Sequence, residues 1–244
     1  VLRSFVHFSI DYKNIMTINN AKITFIIPTI GRPSLNDTVN SILSQTCQEW
    51  YVVIVFDGIE PNFEIHDDRI QIVQFAGEIS ESHKSNEHRA GCVRNYGVQF
   101  VTTEWIAFVD DDDTLRQNYV EVFLEETAKY DNDAVIFRMI QHDVIDGEQV
   151  IRIHPDLNID NFYLRNVGIS FAVKKRIFGS GIVFRNGIEE DYHFLDIVRQ
   201  NNYKMMISPN ILYTVKAVNV QLRIPLITRV FINHKTVVQT LEYK

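Results

Sequence analysis

The sequence predicts an α/β protein built on a mostly parallel sheet with flanking helices. Three observations carry this. Short apolar, β-rich runs recur through the first half, at Ile23–Thr29, Tyr51–Phe56, Ile70–Phe75 and Trp105–Val109. Stretches with a helical period lie between them or follow the last. Three of the four runs end on polar or acidic residues. Strands alternating with helices at this spacing make βαβ units, whose crossovers are right-handed.

Each element has its own signal. Ile23–Thr29 is a short apolar run that reads as a buried strand. Ser34 to Asp37 gives an S-x-x-D helix start, and Leu35, Val39, Ile42, Leu43 and Thr46 then fall on one helical face. The second strand stops at Asp57-Gly58, a common turn pair. Around Glu87–Val101 a helix is expected with Ala90, Val93, Gly97 and Phe100 inward. Trp105–Val109 is stopped by acids, and a helix from Gln117 to Tyr130 follows. The second half changes character. Ala134–Asp146 reads as strands, Asn166–Gly187 as mixed and Gly-punctuated, and Glu190 to about Asn202 as a helix. From Val215 to Lys244 no period is visible.

Composition narrows the functional classes. With 45% hydrophobic and 23% charged residues among 244, the chain can bury a full core. Its formal net charge of −7 argues against a nucleic-acid partner, which needs a basic face. Cys47 and Cys92 have neither metal-ligand spacing nor the pattern of a disulfide framework, so reduced thiols are expected. No stretch offers the roughly 20 apolar residues of a transmembrane helix. A soluble cytoplasmic protein is therefore expected, in a host cytoplasm were the chain viral.

The chemistry concentrates at strand ends, where open parallel sheets bind ligands. The first strand ends at Thr29, with Gly31 and Arg32 following; the second ends at Asp57; the fourth runs into Asp110-Asp111-Asp112-Asp113. Adjacent carboxylates repel by roughly 4 kcal/mol per close pair at intermediate dielectric. Solvent or a shared cation relieves this. In extended geometry Asp110 and Asp112 share a side and Asp111 faces the other, which suits Mg²⁺ or Mn²⁺ held with substrate phosphates. The alternative is a solvated acidic turn. Asp57 is either a turn residue or an acceptor for a nucleobase N–H. Arg94 could meet phosphates or pair with an acid.

Asp191, Phe194, Leu195 and Val198 are spaced i, i+3, i+4, i+7. An acid thus tops an apolar stripe, where desolvation raises its pKa toward that of a general base. The alternative is a first-turn acid answering the helix dipole, a role open to Glu190 as well. His66, His83, His88, His142, His154, His193 and His234 show no ligand spacing, and only His193 and His234 fall at positions of interest. Lys174-Lys175-Arg176 reads as a solvated basic loop or a hold for an anionic acceptor.

Taken in order, Ile26-Ile27-Pro28-Thr29, Asp57-Gly58, Val93-Arg94-Asn95-Tyr96-Gly97, Phe108-Val109-Asp110-Asp111-Asp112-Asp113, Glu190-Asp191, Asn202-Tyr203-Lys204 and Pro209 form a pattern. It resembles the family 2 inverting glycosyltransferases of the Rossmann-like GT-A fold, over roughly Ile23 to Tyr213. The resemblance implies transfer of a sugar from a nucleotide-sugar donor, usually a UDP-sugar, to the hydroxyl of a glycan or glycoprotein acceptor. It implies that Thr29 and Asp57 contact the base, that Arg94 sits near the nucleotide, and that Asp111 lies near the ribose. Asp110 and Asp112 would form the D-x-D motif for Mn²⁺ or Mg²⁺, with Asp112 the direct ligand, and Asp191 would be the base. Two departures leave the acceptor open: Gly187-Ile188-Glu189 replaces a Gly-Gly pair, and Thr214-Val215-Lys216 follows Tyr213.

On this basis residues 23–214 form one catalytic domain, with a nucleotide-binding half (23–115) and an acceptor half (116–214). Residues 1–22 read as an extension, the part before Met16 being an appended remnant or a native edge element, and 215–244 as a tail. Two other classes fit the same sheet. A sugar-nucleotide nucleotidyltransferase would want a Gly-rich phosphate loop where Thr29-Ile30-Gly31-Arg32-Pro33 stands. A nucleotide-sugar or glycan-binding module would lack activity.

Overall fold

The structure, a computed structural model, describes residues 20–76, 89–145, 148–216 and the backbone of 219–220. The expected extension before residue 20, the expected helix start at Glu87, His83, His88, His234 and the tail beyond residue 220 lie outside the described residues.

The strands are β1 (Ile23–Thr29), β2 (Trp50–Asp57), β3 (Ile70–Phe75), β4 (Trp105–Phe108), β5 (Thr114–Leu115), β6 (Ala134–Ile145), β7 (Glu148–His154), β8 (Phe171–Lys174), β9 (Met205–Val215) and β10 (Asn219–Val220). The helices are α1 (Leu35–Leu43), α2 (Ala90–Val98), α3 (Tyr119–Lys129), α4 (Arg176–Gly179) and α5 (Glu190–Gln200). Among the described residues ten strands join one sheet, ordered β3-β2-β1-β4-β8-β6-β9-β5, with β7 and β10 also on β6. β3, β2, β1 and β4 are mutually parallel. From β8 onward the pairing is mixed: β8 runs antiparallel to both β4 and β6, while β9 runs parallel to β6.

The inner parallel strands β1, β2 and β4 are covered on both faces, which is why they are almost wholly apolar rather than alternating. In β2 every residue from Trp50 to Phe56 is buried. Successive residues of β1 serve opposite faces. Phe25 meets Tyr119 of α3 edge to face at 5.5 Å. Ile26 packs under Gly97 of α2, where an added Cβ would fall 2.7 Å from Ile26 Cγ2 and 3.1 Å from Val55 Cγ2. Gly97 therefore lets α2 lie close on the sheet and brings its first turn to the strand ends.

A second core cluster supports α5. Phe184 stacks on Phe194 at 4.3 Å and 15°, and meets Phe108 of β4 edge to face at 5.0 Å. Phe194, Leu195 and Val198 are buried, as the spacing predicts. The apolar stripe of α5 is thus pinned to the strand that carries the acid run.

One expectation needs correction, and one strand was not foreseen. α1 starts where the S-x-x-D signal puts it, with Ser34 at the N-cap, in αR geometry and with no side-chain cap hydrogen bond. Thr46 lies beyond the end of α1 and is exposed, its hydroxyl bonded to Glu121 at 3.0 Å, so it leaves the predicted apolar face. A long strand, β9, also runs through Pro209, a residue that normally breaks a ladder. It is accommodated because the β6–β9 register shifts between Ile136↔Ile207 and Arg138↔Ile211. The buried Arg138 guanidinium fills that irregularity by donating to the Ser208 carbonyl.

Candidate active site

The carboxyl ends of β1, β2 and β4 open onto one cleft of about 300 Å³. Its walls include Thr29, Arg32, Asp57, Arg89, Arg94, Asp110, Asp111, Asp112 and Glu190. Every donor-side residue expected from the sequence is therefore on one surface. The parallel strands start in register and deliver their last residues to the same edge.

The acid run is a turn, not an extended segment, which corrects the expected backbone geometry. The Asp113 N–H donates to the Asp110 carbonyl at 3.1 Å. The backbone folds because each acid has its own partner. Asp110 faces Arg94, with Nη2 2.6 Å from Oδ1. Asp111 is buried, accepting from the Thr29 hydroxyl at 2.6 Å and from Arg32 Nη1 at 2.8 Å. The Thr29 hydroxyl itself accepts from the Gly31 N–H at 2.9 Å. Asp112 is the most open of the three beside Asp110, with Arg32 Nη1 at 3.5 Å. Burial and the neighbouring Asp110 and Asp111 charges raise its pKa against the pull of Arg32 and Lys216.

Asp113 ends the turn inside the protein. Its carboxylate accepts from the Lys216 N–H at 2.9 Å and from the Tyr213 hydroxyl. The same hydroxyl accepts from the Asp110 N–H at 3.0 Å. Burial and the Asp110 charge push the Asp113 carboxyl up to about 7. Tyr213 of β9 thereby ties both ends of the acid turn together.

Arg94 is the link across the cleft. It is buried, and its Nη1 donates to Glu190 Oε1 at 2.7 Å while Nη2 holds Asp110. Of the two partners the sequence left open, it takes acids, one from the donor-side turn and one from α5. Its Cζ sits 5.6 Å over the Phe184 ring.

Asp191 follows Glu190 in the first turn of α5. Burial pushes its carboxyl up to about 6; the nearby Glu190 and Asp110 charges add to this, while the Tyr192 N–H bond at 2.7 Å and Arg94 oppose it. The side chain thus touches the helix N-terminus and is also desolvated. Gly168 lies beside it. A Cβ there would come within 3.5 Å of Asp191 Oδ2 and 2.5 Å of Met139 Cε.

The donor set suits a hard divalent cation. Among the described residues no group of three His, Cys, Asp or Glu side chains converges as a cage. Mg²⁺-like ions do not need one, since they take one or two carboxylates and complete their shell with water and phosphate. Asp110 and Asp112 keep side-chain exposures of 38% and 32%, enough to reach a ligand in the cleft, whereas Asp111 at 5% is taken up by protein donors.

The model of glycosyl transferase family 2 matches residues 24–191, from the start of β1 to Asp191 itself. The chain belongs to glycosyl transferase family 2. Among its relatives, glycosyltransferase GlyG of Streptococcus pneumoniae serotype 4 is 27% identical over 161 residues, 63% of this chain and 46% of that protein. The chain thus spans about half of GlyG. The UDP-Glc:alpha-D-GlcNAc-diphosphoundecaprenol beta-1,3-glucosyltransferase WfgD of Escherichia coli is 23% identical over 193 residues, 74% of this chain and 71% of that one. The crystal structure of S. aureus TarS 1-349 superposes with a TM-score of 0.57 at 15% identity, covering 80% of this chain and 60% of that one. The fold is that of these family 2 enzymes, as the GT-A expectation requires.

Sequence reasoning missed one residue of the site and underrated another. Arg89, at the N-cap of α2, faces Asp57 with Nη2 3.1 Å from Oδ1, and no pattern in the sequence marks it. Tyr213 was visible only as the end of the family 2 pattern. The basic run Lys174-Lys175-Arg176 is moved away from the site. Lys174 pairs in register with Trp105, the first residue of β4, so the run sits at the opposite edge of the sheet. Its charges are already answered, Lys174 by Glu104 and Asp131 and Arg176 by Asp133. His193 is exposed and off the buried stripe of α5.

Proposed function

We propose that this chain is a glycosyltransferase that moves a sugar from a nucleotide-sugar, a UDP-sugar, to an acceptor hydroxyl with inversion at the anomeric carbon. The observation that carries this is the Asp110–Arg94–Glu190 bridge. It joins the donor-side acid turn to Glu190, the residue before Asp191. Glu190 lines the cleft with the acid turn, and Asp191 follows it in the first turn of α5; a base close to a phosphate-facing turn is what in-line displacement needs.

In this reading the base of the donor lies at Thr29 and Asp57, and the ribose near Asp111, which also fixes Thr29 and Arg32. Arg94 stands near the nucleotide and holds Asp110 and Glu190 in place. Asp110 and Asp112 are the carboxylates that would hold Mn²⁺ or Mg²⁺, which when bound neutralises charge on the departing diphosphate. Asp191 accepts the proton of the acceptor hydroxyl. The acceptor oxygen forms a bond to the anomeric carbon as the bond from that carbon to the diphosphate oxygen breaks, and the electron pair leaves with the nucleoside diphosphate. A carboxyl with a pKa of about 6 is suited to that step, because it is ionised at neutral pH yet more basic than an ordinary aspartate.

The UDP donor is supported by relatives. WfgD is named for UDP-Glc, and TarS has been crystallised in complex with UDP-GlcNAc and with UDP. The acceptor is a glycan or glycoprotein hydroxyl. The test is a thermal-shift panel of UDP-, GDP- and dTDP-sugars with Mn²⁺, followed by turnover on a glycan array with the sugar that binds. A ligand taken only by the folded state raises the melting temperature. Stabilisation by UDP-sugars and transfer of the label support the reading; binding without transfer would favour a binding module instead.

A further inference from the structure

The hairpin of β6 and β7 carries a polar cluster on the face of the sheet that holds the acid turn. Met139 of β6 pairs in register with Tyr213 of β9 on one side and with His154 of β7 on the other. Residues paired across a ladder share a face, so Tyr213, Met139 and His154 form a row across three strands. The row starts at the acid turn, through the Tyr213 hydroxyl, and then passes Asp191. A Cβ on Gly168 would stand 2.5 Å from Met139 Cε and 3.5 Å from Asp191 Oδ2. The row ends at His154, two strand spacings or roughly 10 Å from Tyr213. The next row along the hairpin pairs Gln141 with Arg152. Asp143, one step further on the same face, is buried; it accepts from Gln141 Nε2 at 2.9 Å and faces Arg152 Nη2 at 2.8 Å. Two nitrogens of this cluster, His154 Nδ1 and Arg152 Nε, are buried and have no hydrogen-bond partner among the described residues. Buried polar atoms are nearly always satisfied, and these two come from alternate residues of one strand, on one face. Both residues are half-buried rather than sealed, so a rotation of the side chain presents the nitrogen to a ligand.

From this we infer that His154 and Arg152 form a second sugar subsite, which holds the unit of a saccharide acceptor next to the one that reacts at Asp191. The inference rests on the glycosyl-transfer reading above and gives its acceptor a minimum size of two sugars. The chemistry of the cluster selects the class. Asp143 already answers the Arg152 charge, and burial lowers the His154 pKa against the pull of Asp156, so the ring is neutral at pH 7. A phosphate or carboxylate would meet the Asp143 carboxylate beside a cation already paired. A sugar hydroxyl both donates and accepts, so it can take the Arg152 Nε–H and serve His154 Nδ1 in either tautomer. Asp156 also accepts from the Tyr163 hydroxyl at 3.2 Å, and the Tyr163 side chain is half exposed, an aromatic face of the kind on which sugar rings lie.

The probes are two truncations of the saccharide labelled on the glycan array: the methyl glycoside of the reacting sugar, and the disaccharide that adds its neighbour. With UDP-sugar and Mn²⁺ saturating, the full chain is expected to show a KM for the disaccharide about tenfold below that for the methyl glycoside, the scale of two ordinary hydrogen bonds. His154→Leu should raise the disaccharide KM and bring the ratio toward one. His154→Asn, which keeps an amide at the place of Nδ1, should restore most of the difference. The double variant Arg152→Met/Asp143→Asn leaves neither charge buried alone and should lower the ratio as His154→Leu does. Melting curves confirm that each variant is folded before it is assayed. Equal KM values for the two acceptors in the wild type overturn the subsite. So does a loss in His154→Leu that falls equally on both acceptors, or on kcat alone. If UDP-sugar binds but no saccharide is labelled, the subsite falls while the donor reading stands; if no UDP-sugar binds, the glycosyl-transfer reading itself falls and takes the subsite with it.

Discussion

Arg94 Nη2 lies 2.6 Å from Asp110 Oδ1, and this single contact decides how the acid run is used. Four consecutive aspartates cannot all face one point without a cation. The guanidinium draws Asp110 to one side, Thr29 and Arg32 draw Asp111 inward, and Lys216 and Tyr213 draw Asp113 into the core. Asp112 is left as the acid with the weakest protein partner.

Removing Arg94 should therefore be felt in stability before chemistry. Arg94→Met strands the Asp110 and Glu190 carboxylates beside each other. Breaking a buried ion pair typically costs 3–5 kcal/mol, and because both acids keep some exposure a loss of about 3 kcal/mol is expected. Thermal melting of the variant should show a drop of several degrees, reduced in the triple variant that also carries Asp110→Asn and Glu190→Gln. An unchanged melting temperature for Arg94→Met would mean the bridge is not formed in solution.

Asp112→Asn tests the opening left by that arrangement. It should remove the Mn²⁺-dependent part of UDP affinity and abolish transfer while leaving the melting temperature of the free protein nearly unchanged. Titration with and without the cation reads this directly. Wild-type affinity and turnover in the variant would take the cation away from the acid turn.

The pH dependence of stability follows from Asp113. Its carboxyl is pushed up to about 7 from the ordinary aspartate value of 3.8, so the fold favours the protonated form. The corresponding stabilisation is complete below the unfolded pKa and is lost as pH rises through the folded one. Between about pH 4 and 7 the cation-free wild type should lose stability relative to Asp113→Asn, which does not titrate. Denaturant titrations of both proteins at several pH values check the sign; a gap that stays constant would contradict the buried, protonated carboxyl.

Turnover should follow Asp191. The carboxyl must be ionised to take a proton, so with its pKa raised to about 6 the rate at saturating substrate should rise with pH through a midpoint near that value. Stability carries the opposite sign, since ionising a carboxyl whose folded pKa is raised disfavours the fold. A rate that is flat from pH 5 to 8, with chemistry limiting, would exclude this carboxyl as the base.

Much of this site was legible from local pattern. Thr29, Asp57 and the acids after β4 could be placed on one edge because parallel strands must deliver their ends together. Asp191 could be placed because three buried neighbours share its helical phase. What was not legible depends on pairings between elements far apart in sequence. Arg89 meets Asp57 only because β2 and α2 lie side by side, and the fold of the acid turn depends on Arg32 and Tyr213, 79 and 103 residues from their partners. β9 was hidden by Pro209, whose place in the ladder exists only because the β6 register shifts to admit it. Which of its two readings the basic run at Lys174 takes was not legible for the same reason, since antiparallel β8 carries it to the far edge of the sheet.

The most direct test of the account is the transfer rate of Asp191→Asn. The substitution keeps the shape of the side chain and one acceptor oxygen but removes the proton acceptor. With the UDP-sugar and glycan acceptor identified by the panel, the rate at saturating donor should fall by a factor of about 10² to 10⁴, the usual contribution of a positioned base. Mn²⁺-dependent UDP affinity in the same preparation should stay near wild type. A variant that transfers sugar at the wild-type rate, merely with an altered melting temperature, would contradict the assignment of Asp191 as the base and with it the proposed mechanism.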